Sequence, residues 1–181
     1  MNKSIKLNSG NIINIRKNID NQKKNYWKII RAENVMSNKA IKAGMGSGKD
    51  LKALYNEIMQ MSEKLVYIKG MLFYLNMGIT TFNKEEFKKT NNYSIFMACE
   101  MKEAIAQLKM VPTLDPATKS KKGGASKMGK DEVFTSAKIA SLIKELQLKA
   151  VNFDAAMEEF NTNTSIEITS VADEFKAELA I

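Results

Sequence analysis

The residues best suited to chemistry in this chain are lysines, and they are grouped. Lys119, Lys121, Lys122, Lys127 and Lys130 fall within twelve residues that also hold Gly123, Gly124 and Gly129 and no acid. Lysines on a glycine-rich segment form a cationic flap suited to phosphate-bearing ligands, each acting as a flexible point charge rather than a geometric fork. The same composition also describes a solvated linker, and both readings stay open. A second candidate is the run from Ala43 to Asp50, where Gly44, Gly46 and Gly48 alternate with Met45, Ser47 and Lys49. It resembles a phosphate-binding loop but departs from the pattern twice. Ala43 stands five before Gly48 where glycine belongs, and Asp50 stands where Ser or Thr would ligate magnesium. The plainer expectation is a flexible connection with Ser47 capping the next helix, whose free N–H groups could still hold an anion with Ser47, Gly48 and Lys49 around it.

The chemistry that is missing narrows the function further. The 181 residues contain no histidine and one cysteine, Cys99. One chain therefore cannot assemble a histidine-based triad or a zinc site of the usual ligands, and neither a metal nor a cofactor is expected. Cys99 follows Phe96-Met97-Ala98 and is expected to pack as a small hydrophobe in a reducing cytoplasm. Glu85-Glu86 and Glu158-Glu159 are carboxylate pairs, yet sequence neighbours diverge on a helix and such charges are ordinarily solvated. No enzymatic activity is expected.

These segments must be positioned by helices. Leu51, Leu54, Ile58, Met61, Leu65, Ile68, Leu72 and Leu75 repeat at intervals of 3 and 4, a heptad sustained for more than three repeats. The spacing predicts a long helix with a coiled-coil-like seam serving as core or oligomer contact. Tyr55, Met59, Val66 and Phe73 widen that stripe, so the helix should touch more than one neighbour. A first amphipathic helix is expected from about 11 to 34, with Ile12, Ile15, Ile19, Tyr26 and Ile30 on one face and basic residues mostly on the other. A third is expected from about 94 to 110, stopped by Val111-Pro112, and a fourth from about 136 to 160 through Ile139, Leu142, Leu146, Ala150, Phe153, Met157 and Phe160. Tyr26 and Trp27 read as core or interface residues. In the polar stretch from Gly78 to Asn92, Asn83 and Glu86 have the spacing of a helix cap.

Together these features predict an all-α fold, an antiparallel helical bundle in one domain, 1–181, with flexible loops at 43–50 and 112–131 and an extension at 171–181. Alternating residues near Ile5 and Leu7 and from Thr164 to Val171 could add a minor terminal strand pair. Neither a signal peptide nor a run of ~18 apolar residues is apparent, so a cytoplasmic protein is expected, in host cytoplasm if phage-encoded.

The layout resembles a poorly characterised family of small helical bacterial and phage proteins known as septicolysin-like. The likeness rests on Asn38-Lys39-Ala40 before a loop, Leu51 to Asn76, Tyr93-Ser94, Asp154 to Asn161, Thr164 and Ile166-Glu167-Ile168. Thr162 stands where the family pattern has an aromatic residue, and the tail beyond Ser170 is extra. The resemblance implies a bundle that assembles into oligomers and implies no demonstrated activity.

Net charge is +8 and uneven: residues 1–31 carry eight basic groups and one acid, and residues 141–181 carry three lysines and eight acids. That polarity suits either an anionic partner or mutual attraction between the two ends. Two functions follow as expectations. One is a phage or mobile-element homo-oligomer that sequesters an anionic, nucleotide-type ligand such as a host signal. The other is a structural or scaffold component of a phage particle. Nucleic acid is a poorer expectation, because few aromatics interleave the basic stretches.

Overall fold

The computed structural model describes residues 5–36, 40–114 and 133–165, with the side chains of residues 41 and 42 excepted. Helix α1 spans Ser9–Glu33, and Asn8 starts it by accepting the Asn11 N–H at 2.8 Å. A short π-helical turn covers Ile41–Met45, where Gly44 takes a φ of 79° that a side chain would disfavour. Helix α2 spans Leu51–Asn76. It ends in a Schellman motif, in which Gly78 (φ 76°) donates to Leu75 and Ile79 donates to Tyr74. Helix α3, Lys84–Lys88, is one turn capped by Asn83, as the Asn83 and Glu86 spacing predicts. Helices α4, Asn91–Lys109, and α5, Ser136–Asn163, are capped by Thr90 and Thr135. No strand occurs among the described residues. Residues 5–8 lead into α1 as its cap rather than pairing as a strand, and 166–171 of the expected partner lie outside the described residues.

Long-range contacts fix the directions of the helices. Trp27 packs edge-on to Tyr55, so the end of α1 meets the start of α2 and the two are antiparallel. Lys102 bonds Asp154 and Asn91 bonds Asn161, so α4 and α5 are antiparallel too. Lys23 reaches Glu100 and Arg31 reaches Gln107, which sets α1 parallel to α4. The result is an all-α bundle of two helical hairpins, with α2 packed on both α1 and α4.

The α2 heptad is the core of this bundle. Leu51, Leu54, Ile58, Met61, Leu65 and Ile68 are all buried within the single chain, and the first four share one cluster with Trp27 and Ile30 of α1, Met101, Ala104 and Leu108 of α4, and Leu142 and Leu146 of α5. Leu72 and Leu75 are half-buried at the far end. Fully burying a side chain of this kind contributes roughly 1.5–3 kcal/mol, so a seam of six is a principal source of stability. Beyond it, Phe87 is wholly buried among Tyr67, Tyr74, Phe82, Tyr93 and Phe96.

Several expectations need correction. Ile15 is 38% exposed, at the edge of the buried arc, which centres on Ile12, Lys23 and Ile30 and extends the other way to Trp27. Cys99 is exposed rather than packed, since Ala98 and Glu100 on either side of it take the inward positions. Phe160 is 42% exposed, as the buried stripe of α5 ends at Ala150. Helix ends also move: α1 begins at Ser9, α4 at Asn91, and α5 runs to Asn163.

Candidate functional site

The glycine loop is described, and both donors of Ser47 are occupied. Asp50, not Ser47, caps α2, accepting the Lys52 N–H at 2.9 Å. Ser47 instead donates its backbone N–H and its hydroxyl to the Glu33 carboxylate, at 2.7 and 3.1 Å. The Glu33 carboxylate thus takes both Ser47 donors, and its charge would repel an anion at Ser47. Gly48 takes a φ of 71° to make the turn, and the Lys49 ammonium lies 5.0 Å from the centre of the Tyr26 ring. The loop therefore ties the end of α1 to the start of α2. The other five anion-binding candidates, Lys119, Lys121, Lys122, Lys127 and Lys130, lie outside the described residues.

A charged cluster that the sequence reading missed lies inside the bundle. Lys23 of α1, Lys69 of α2 and Glu100 of α4 converge, with Lys23 Nζ 2.5 Å from Glu100 Oε2 and Lys69 Nζ 2.7 Å from Glu100 Oε1. Lys23 and Glu100 are almost completely buried, and Glu103 adds a second carboxylate 3.5 Å from Lys23. Burial pushes the Glu100 carboxyl up, and the two ammonium groups outweigh that penalty and hold it below the usual carboxylate range. Two cations face two anions, so the cluster is balanced and each Glu100 oxygen has a partner. Such an arrangement joins three helices in one register. The signal for it was present: Lys23 falls on the same arc as Ile12, Ile19 and Ile30, where a solvated lysine does not belong.

Solvent-side charge is concentrated on α1. Lys17, Lys24 and Lys28 recur at intervals of 7 and 4, which puts them on one exposed stripe, and none has a partner among the described residues. Arg16 differs in pairing with Asp20 at 3.6 Å.

The outward side of α5 is apolar at its centre. Leu148 is 63% exposed and Val151 60%, with exposed Ala155 one turn on. No group of three or more metal-ligating side chains occurs among the described residues, and none of their helices is long and apolar enough to cross a membrane.

Comparison with family models, curated proteins and solved structures returns no match to this chain.

Proposed function

We propose that this chain is a non-enzymatic interaction protein of the scaffold type, which works by joining other surfaces and associates with copies of itself. The observation that carries this reading is the outward side of α5. The α2 heptad is consumed inside one chain, yet α5 still presents Leu148 and Val151 to solvent along a helix already buried on its opposite side. A helix with a second apolar stripe has a second neighbour to cover it. The septicolysin-like resemblance, which implies an oligomer, agrees with it. Light scattering with native mass spectrometry tests the reading. A closed oligomer of the 20.3 kDa chain is expected, and a monomer at every concentration overturns it.

A second reading, binding of an anionic nucleotide-type or polyanionic partner, draws on the unpaired Lys17, Lys24 and Lys28 stripe and not on the glycine loop. Three lysines meeting phosphates would give a logarithmic salt slope of about −3. Binding to a polyanion that is unaffected by salt, or by Lys24→Ala with Lys28→Ala, excludes it.

A further inference from the structure

We infer that two copies of this chain pair through the outward side of α5, antiparallel, about a two-fold axis between Leu148 and Val151. The inference deepens the proposed self-association and rests on it. Its first support is spacing. Ala137, Ser141, Lys144, Leu148, Val151, Ala155, Glu158 and Thr162 follow one another at intervals of 4 and 3 throughout, and every one is exposed. That is one continuous stripe, apolar at its centre, on the solvent side of a helix whose opposite side, through Ile139, Leu142, Leu146 and Ala150, is already packed on the bundle. The large side chains stand at the middle of the stripe, and Ala137, Ser141 and Ala155 toward its ends are small enough to let a second helix approach.

Charge selects both the occupant and its direction. The first half of α5 carries Lys138, Lys144 and Lys149 against Glu145, and Glu145 is engaged by Lys149 at 2.6 Å. The second half carries Asp154, Glu158 and Glu159 and no base, with Asp154 engaged by Lys102 of α4 at 2.9 Å. Lys144, Glu158 and Glu159 have no side-chain partner among the described residues. A parallel pair would set Lys144 against Lys144 and Glu158 against Glu158. An antiparallel pair centred between Leu148 and Val151 sets Leu148 on Val151 of the second copy. It also brings each Lys144 within about 4.5 Å, measured along the axis, of the other copy's Glu158. A lysine side chain spans that offset. The surface is thus complementary to itself when turned through 180°, which is the requirement of an isologous dimer.

The test is sedimentation and light scattering on the full chain and three variants, with helicity followed by circular dichroism. Leu148→Glu is expected to yield a monomer of unchanged helicity, because Leu148 contributes little to the core. Lys144→Glu and Glu158→Lys are each expected to weaken dimerisation about tenfold, and the two together to restore it within about threefold. A dimer that survives Leu148→Glu overturns this pairing and leaves self-association through another face standing. Failure of the double reversal to restore affinity overturns the antiparallel register. A monomeric unmodified chain overturns the pairing and the proposed function together.

Discussion

Lys23 and Glu100, 77 residues apart in sequence, meet at 2.5 Å in the interior of the bundle with less than 5% of either side chain exposed. A buried ion pair contributes little net stability over an apolar pair, since desolvation opposes the attraction. Its consequence lies in what happens when one member is lost. Glu100 anchors both Lys23 and Lys69, whereas Glu100 without Lys23 would keep Lys69 at 2.7 Å.

Glu100→Gln is therefore expected to destabilise the chain by about 3–5 kcal/mol, since it leaves the Lys23 ammonium buried with only half-exposed Glu103 nearby. Lys23→Met is expected to be milder. Urea unfolding followed by circular dichroism orders the two, and equal effects would mean that Lys69 does not share the Glu100 charge.

Acid should act on the same cluster. The folded chain holds the Glu100 carboxyl below its ordinary value, so the unfolded chain binds the proton more readily. The stabilisation from this group is complete above the unfolded value and is lost as pH falls through the lowered folded value. Unfolding midpoints measured from pH 6 downward should decline in that acid range, and Glu100→Gln should flatten that part of the profile.

The helices were readable from the sequence because their signals are local. The α2 heptad marks its own axis, and Pro112, Asn83 and the polar runs mark ends. The partners were not readable, because a seam such as Leu51 to Ile68 looks alike whether a second chain or the same chain covers it. Only its burial within one chain, with Leu51 to Met61 clustered on Trp27, Leu108 and Leu146, decides that it is core. Ser47 illustrates a competing choice. Asp50 is the better placed cap, which releases Ser47 to bind Glu33, a residue fourteen positions earlier that no cap pattern includes. Lys23 was legible in principle from its place on the apolar arc. Glu100 shares that kind of position, and their pairing needed the fold.

Gly70 and Phe87 make a second dependent pair. A Cβ on Gly70 would fall 2.5 Å from the Phe87 ring, which is itself wholly buried. Glycine inside a helix ordinarily costs about 1 kcal/mol against alanine. Here Gly70→Ala is expected to lower stability by about 1–3 kcal/mol, because the ring has no exposed side toward which to move. Thermal unfolding checks the sign, and stabilisation by Gly70→Ala would show that α3 yields freely.

Cys99 provides a simple test of the α4 rotation. With Ala98, Glu100 and Met101 turned inward, the thiol faces solvent. One equivalent of a thiol reagent is expected to react with the native chain at a rate close to that in denaturant. Protection of the native thiol by more than about a hundredfold would mean that this side of α4 is covered, or that the helix is rotated.

Asn34 fastens the opposite end of the bundle. Its side chain is buried and spends all three of its bonds on backbone: Nδ2 donates to the carbonyls of Pro112 and Phe134 at 2.9 Å each, and Oδ1 accepts the Phe134 N–H at 2.8 Å. The residue thereby joins the end of α1 to the segments on both sides of the α4 to α5 connection. Phe134 continues the link, packing its ring edge-on to Tyr55, which packs on Trp27. Asn34→Ala removes the partners of three backbone groups at once, and each buried unsatisfied group costs about 1–3 kcal/mol unless water replaces it. A loss of about 2–4 kcal/mol is expected, together with faster amide hydrogen exchange at Phe134 and in the first turn of α5. Asn34→Asp separates geometry from shape: its carboxylate keeps the bond from the Phe134 N–H but cannot donate to either carbonyl, so it should be no more stable than the alanine variant. An aspartate variant as stable as the unmodified chain would show that the two carbonyl bonds carry none of the effect.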